Sequence, residues 1–170
     1  MKLTIIEESI ISALFDLMQI NDYDKISITD LTEKAGVSRV SYYRHFTSKK
    51  DVIIRFFDEL KEKLLDTIYS IELTGEEKWN YCINFVFELI KTNKSRFQIL
   101  KKNNLDYLFL TYITDAGESF YSDEENKYSI HLLAGAFFNT CMYWLRDNCS
   151  DSIDIVAKPF YCLESIFQFN

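Results

Sequence analysis

One proline and four glycines in 170 residues are too few for the many tight turns of a sandwich or barrel. No alternation of period two persists for more than a few residues, so strands find no support either. The four cysteines, Cys82, Cys141, Cys149 and Cys162, form no C-x-x-C pair, and His45 and His131 lie far from them in sequence. That spacing excludes a zinc site and points to four reduced thiols and no metal. No G-x-x-x-x-G-K, G-x-S-x-G or H-E-x-x-H occurs. No catalytic residue is assigned, no cofactor is expected, and an enzyme is not the expected function. The longest apolar stretch, Leu132 to Leu145, contains Asn139 and Thr140 and falls short of the roughly 20 residues that span a bilayer. It reads as a buried helix, with no membrane partner. Glu7, Glu8 and Asp16 interrupt the N-terminal segment and no small-residue cleavage site follows, so a cytoplasmic location is expected.

What remains has ordinary globular composition, 48% hydrophobic and 26% charged. The length suits one domain, or a small one plus a modest one. Aromatic residues reach 16%, with 14 Phe, 11 Tyr and 2 Trp. Such a supply implies a ring-rich core, or rings lining a cavity or interface. The net charge of −7 by itself argues against nucleic acid as a partner.

Apolar residues recur at three- and four-residue steps along almost the whole chain, which predicts an all-α protein. Residues 3–19 form a first amphipathic helix and Asn21 to Asp24 a turn. Ser27-x-x-Asp30 is a capping box opening a short helix that Gly36 stops. Ser38 caps a third helix, Arg39 to Phe46. Ser48-x-x-Asp51 opens a long fourth helix to about Ile71. Thr74 is the next expected cap, followed by helices over 77–93, 95–102 and 104–116. Gly117 to Asn126 is polar and acidic and reads as a loop. Helices over 127–147 and 152–169 complete the chain, with Pro159 expected to kink or restart the last.

Residues 34–50 reverse the global charge. They hold Lys34, Arg39, Arg44, Lys49 and Lys50, plus His45, and no acid. A solvated basic face is the plain explanation of such a run. Here, however, a short helix, a glycine turn and a second short helix match a helix-turn-helix, about residues 27–46. Leu31, Ala35, Val37, Tyr42 and Phe46 can pack its two helices together. The polar positions gather at the start of the second helix, where a recognition helix meets base edges.

The pattern Ser27-x-x-Asp30-Leu31-Thr32-x-x-Ala35-Gly36-Val37-Ser38-x-x-Ser41-x-Tyr43-x-x-Phe46-x-Ser48-Lys49-x-Asp51 resembles the N-terminal domain of tetracycline-repressor (TetR/AcrR) family transcriptional regulators. The match covers about residues 5–57. Leu133 to Trp144, a loop and a final helix are similar to the family's last two helices. The resemblance implies a helix-turn-helix DNA-binding domain, 1–66, whose three helices are joined by a long fourth helix to a helical effector-binding and dimerisation domain, 67–170. Departures from the pattern are Thr32 for a small Ala, Val40 for Gly or Pro, and Tyr42 for Leu or Phe. Tyr42 must bury its ring and find a hydroxyl partner. Lys2 alone precedes the first helix as a basic arm.

The resemblance implies a sequence-specific regulator that binds double-stranded DNA, with these residues in contact. Tyr43 and Lys49 meet backbone phosphates, setting register without reading sequence. Arg39, in the first turn of the recognition helix 39–46, is the first candidate for base reading through a bidentate contact to guanine, with a phosphate contact as its other reading. Val40 is placed for a thymine methyl, and Ser41 for a base or phosphate. His45 matches a phosphate-contacting position, its plainer reading being a surface histidine. Ser27 is a cap whether or not it also meets phosphate. A homodimer through the last two helices, on a quasi-palindromic operator, follows from the same resemblance. Leu132, Ala136, Phe137 and Tyr143, with Gly135 and then Phe160, Leu163 and Phe167, offer the apolar patch, or are ordinary core. Trp79, Phe85, Phe109, Tyr112 and Trp144 are pocket candidates for a small-molecule effector, although core packing is the better reading of each and no ligand residue is assigned. Repression is the family default. The alternative is a member that has lost operator reading and acts as a ligand-dependent co-regulator.

Overall fold

The computed structural model describes residues 3–120 and 127–163. All regular structure among them is helical: α1 Ile5–Ile20, α2 Ile28–Ala35, α3 Arg39–His45, α4 Lys49–Ser70, α5 Gly75–Thr92, α6 Lys94–Lys102, α7 Tyr107–Phe120, α8 Lys127–Arg146 and α9 Ile153–Tyr161, with a single 3-10 turn at Tyr23–Lys25.

Side-chain caps set the N-terminal boundaries of α1 to α4. Thr4 and Glu7 form a capping box on α1, Ser27 and Asp30 on α2, and Ser48 and Asp51 on α4. Each box satisfies two backbone N–H groups reciprocally, one at the third helical residue and one at the cap. Thr74 stands at the start of α5, but its hydroxyl makes no capping bond.

Ile10, Leu14 and Met18 of α1 pack with Leu31, Tyr42 and Phe46 of the next two helices and with Val52, Ile53 and Phe56 of α4. α4 then hands the core on. Phe56 meets Phe15, while neighbouring Phe57 meets Phe97, Phe109 and Tyr112. Farther out, Phe87 packs on Phe137, Trp144 and Phe160. The aromatic supply is thus spent on an interlocked ring core. Burying each such ring contributes about 2–3 kcal/mol.

Three boundaries differ from the sequence reading. α7 begins at Tyr107, because Asn104 takes a left-handed φ of 57° and breaks the chain away from α6. α7 continues through Gly117 and Glu118 to Phe120, where a polar loop was expected. Gly117 is helical because it lies against α8: a Cβ there would sit 2.7 Å from Ile130 Cγ2. The rest of that expected loop, 121–126, lies outside the described residues. α9 runs past Pro159 and stops two residues later, at Tyr161. A proline in the last turn forfeits one backbone bond close to where the helix ends in any case. Phe167 and Lys2 also lie outside the described residues.

Candidate nucleic-acid interface

The turn between α2 and α3 sets everything on the candidate face. Gly36 adopts φ 67° and ψ 29°, a left-handed conformation that costs a Cβ-bearing residue about 1–2 kcal/mol. Its N–H reaches Glu33 O at 3.1 Å, and Val37 N–H reaches Thr32 O at 3.0 Å. That pair of bonds closes α2 as a Schellman motif and turns the chain. Thr32, buried where the family pattern has alanine, donates its hydroxyl to the carbonyls of Ile28 and Thr29, so the extra oxygen is satisfied.

Ser38 Oγ then accepts the Ser41 N–H at 3.0 Å and starts α3. α3 is two-sided. Tyr42 and Phe46 are buried against the other helices. Arg39, Val40, Tyr43 and Arg44 lie on the opposite, exposed side, at helical spacing. Val40 is 65% and Tyr43 53% exposed. Ser41 is half-buried at the edge of this face, its N–H held by the cap. Tyr43 also packs edge-on against Tyr42, ring centroids 5.2 Å apart, which fixes the direction of its ring.

The other expected contact residues are each engaged within the protein. The Ser27 hydroxyl accepts Asp30 N–H at 3.0 Å and donates to Asp30 Oδ2 at 2.6 Å. That hydroxyl and the Ser27 backbone N–H, 3.0 Å from the same Oδ2, hold the Asp30 carboxyl below its usual range. Lys49 Nζ donates to Tyr23 O at 2.5 Å and Ile26 O at 2.7 Å, and sits 4.4 Å from the centre of the Tyr23 ring. Burial draws the Lys49 pKa down, partly opposed by Asp24. The ammonium therefore ties the start of α4 to the turn preceding α2. His45 Nδ1 lies 3.8 Å from Glu7 Oε1, at the other end of α3.

Glu7 was missed in the sequence, although Thr4-x-x-Glu7 carries the same capping signal as Ser27-x-x-Asp30. It is buried, and its Oε1 also lies 3.5 Å from Arg55 Nε of α4. Burial raises its pKa, but the Thr4 backbone and hydroxyl bonds, then Arg55 and His45, outweigh that and hold it low. A negative Glu7 thus joins the ends of α1 and α3 to α4. Tyr23, whose ring lies beneath the Lys49 ammonium, gave no signal at all.

One expectation about Tyr42 fails. Its ring is buried, but its hydroxyl finds no hydrogen-bond partner among the described residues. Burial pushes its pKa up to about 12. The backbone of α3 is fixed by the Ser38 cap and the two buried rings, which leaves the hydroxyl no freedom to seek a partner.

The C-terminal rings resolve differently. Trp79 donates its indole N–H to Phe160 O at 2.8 Å, and Trp144 donates to Asp151 O at 3.2 Å. Phe109 is buried with them. Tyr112 donates to Asp58 Oδ1 of α4 at 2.6 Å. Phe160, offered as part of an apolar surface patch, is instead buried in the core, and Phe137 is half-buried against it and Phe87. The exposed stripe of α8 is Tyr128, Leu132, Ala136 and Tyr143, with Ile155 of α9 also exposed. All four cysteines are free thiols, with Cys141 and Cys149 buried. Among the described residues no cluster of His, Cys, Asp and Glu could hold a metal ion, and no helix is long and apolar enough to cross a membrane.

Comparison with known proteins agrees with this geometry. The family described as bacterial regulatory proteins, tetR family, matches residues 10–56, from the middle of α1 to the early turns of α4. The transcriptional activator of the dhaKLM operon, DhaS, from Lactococcus lactis subsp. lactis is 25% identical over 134 residues, covering 77% of this chain and 69% of that one. Among solved structures, the fatty acid degradation regulator FadR from Bacillus halodurans superposes with a TM-score of 0.62 at 20% identity, covering 100% of both chains. A TetR-family regulator from Syntrophomonas wolfei gives 0.64 at 14% identity, covering 97% of this chain and 98% of that one. The capped helix-turn-helix and its exposed recognition face thus lie in a segment, residues 10–56, that matches the tetR family of bacterial regulatory proteins, and the helical second half shares its fold with solved regulators.

Proposed function

We propose that the chain is a dimeric, effector-responsive repressor that reads a quasi-palindromic operator through α3. The observation that carries this reading is the two-sided α3. Arg39, Val40 and Tyr43 stand exposed while Tyr42 and Phe46 anchor the helix rigidly behind them. Arg39 is the base-reading residue, by a bidentate contact to guanine worth about 1–3 kcal/mol of discrimination. Val40 meets a thymine methyl and Ser41 a base or phosphate. Tyr43 and His45 contact the backbone and set register. Ser27 acts first as the cap that presents the start of α2. Lys49 acts chiefly by holding the 23–26 turn, and its third N–H is left for a phosphate.

The first 66 residues are the DNA-binding part, and 67–170 the part that dimerises and senses. One recognition helix covers too little DNA for tight specific binding, so two must be set about 34–36 Å apart. The exposed Leu132, Ala136 and Tyr143 stripe supports a self-complementary seam on α8 and α9. An effector acts by favouring the state whose two recognition helices are misplaced, and weakens DNA binding by no more than its differential affinity for the two states. DhaS is a transcriptional activator, which makes activation the second reading of the output.

The test is selection from randomised duplex DNA followed by titration of the enriched sequence at two salt concentrations. A quasi-palindrome bound with steep salt dependence is expected, with Tyr43→Ala weakening all sequences alike and Arg39→Ala relaxing one base position. An absence of enrichment, with weak binding only at low salt, would favour the co-regulator reading. A reporter carrying the selected site then separates repression from activation.

A further inference from the structure

The second half of the chain is acidic overall, yet five of its nine cations fall within one short run. Residues 89–105 hold Lys91, Lys94, Arg96, Lys101 and Lys102 and no acid, between Glu88 and Asp106. That equals the density of the helix-turn-helix segment. The α6 helix dipole accounts for a cation in its last turn, but not for a run of five without a balancing carboxylate.

The contacts of these cations divide them. Lys94 Nζ donates to Asn148 Oδ1 at 3.0 Å, beyond the end of α8. Arg96 lies over the rings of Phe15 and Phe56. Lys101 and Lys102 stand exposed at the opposite end of α6, where Lys102 Nζ reaches Gln19 O at 2.7 Å. The next residue pins that end to the DNA-binding part: Asn103 Nδ2 donates to Met18 O at 3.2 Å, and Asn103 Oδ1 accepts Tyr23 N–H at 2.9 Å. The carbonyl of the same Tyr23 accepts from Lys49. A single residue of backbone therefore separates Asn103 from the Lys49 ammonium, and Ser27 lies four residues farther on. The acids of this turn are already matched. Asp22 pairs with Lys25 at 2.7 Å and also feels Lys102, while Asp24 faces Lys49.

We propose that Lys101 and Lys102 form a second phosphate-contacting strip, so that the DNA held on α3 is also gripped by the C-terminal half through the end of α6. This rests on the DNA-binding reading above. Phosphates advance by about 3.4 Å along each strand, so a backbone docked at the starts of α2 and α4 presents further phosphates beside them. The strip adds affinity and salt dependence, and carries no sequence information. It also makes operator binding sensitive to any movement of α6 relative to α1.

The test titrates the full chain against the selected operator duplex at several salt concentrations. Lys101→Gln/Lys102→Gln is expected to bind about tenfold more weakly. Its log K against log salt should be shallower by about 0.9 for each phosphate that the variant no longer neutralises, while the selected sequence stays the same. Lys94→Gln, which removes one cation at the other end of α6, should keep the wild-type slope, whereas Lys101→Gln, also a single loss, should not. Lys101→Gln alone leaves the Lys102–Gln19 bond in place, and helical content and melting temperature check that α6 remains docked. A double variant with wild-type slope and affinity overturns the strip while leaving the DNA-binding reading intact. Wild-type protein that selects no sequence and binds no duplex overturns both.

Discussion

Tyr42 and Lys49 carry opposite lessons about burying a polar atom. The Tyr42 hydroxyl is buried with no partner among the described residues, which costs about 1–3 kcal/mol. Tyr42→Phe keeps the ring and deletes the orphan. It should raise unfolding free energy by about 1 kcal/mol in denaturant titration. A loss of that size instead would mean the hydroxyl is satisfied. The pH dependence has a definite sign. The unfolded phenol ionises near 10, whereas the folded one is pushed up to about 12. Stability from this group is therefore intact below pH 10 and lost as pH rises from about 10 to 12, and that alkaline loss should shrink in the variant. Lys49, by contrast, replaces the hydration of its ammonium with two carbonyls and a ring face. Lys49→Met should cost about 1.5–3 kcal/mol of stability, read by thermal melting, and should weaken DNA binding by loosening the 23–26 turn. A variant that melts as the wild type does while losing DNA affinity would return Lys49 to a pure phosphate contact.

Among the elements, the α7 and α8 pair shows how a local signal can be overruled. Gly117 and its polar neighbours carry every mark of a loop, yet α7 continues through them. The missing Cβ lets α7 approach Ile130 of α8 where a methyl would be 2.7 Å from Cγ2. Gly117→Ala improves helix propensity by about 1 kcal/mol but forces a buried β-branched side chain to move. The second effect should win, lowering unfolding free energy by about 1–2 kcal/mol net. A net gain would show that Ile130 yields freely. The short helices α2 and α3 behave the other way. The α2 box, the Ser38 cap of α3, their glycine and their alternation of buried and exposed positions were all legible, because each bond spans at most five residues.

For the whole molecule, the decisive feature is the surface left uncovered once the ring core has closed. Leu132 is 68% and Tyr143 66% exposed on α8, although the sequence placed equally apolar Phe137 on the same helix. Leu132→Asp/Tyr143→Asp should leave the melting of the fold itself nearly unchanged, since neither side chain is core. It should convert a dimer to a monomer in sedimentation and reduce operator affinity by at least tenfold, because a monomer loses the second half-site. A chain that sediments identically with and without these charges does not dimerise through α8.

The sequence by itself determined the helical class, the caps, the helix-turn-helix and the family pattern. These rest on short-range periodicity and on hydrogen bonds between residues three to five apart, which any local window contains. Tertiary structure alone decided that Phe160 is core and Phe137 packs against it while Leu132 and Tyr143 are surface, that Glu7 joins α1 and α3 to α4, and that Lys49 meets Tyr23 and Asn103 meets Met18. Those contacts link residues 23 to more than 80 positions apart. Their partners are chosen by how the helices cross, so the periodicity of one helix gives its apolar side but not which neighbour covers it.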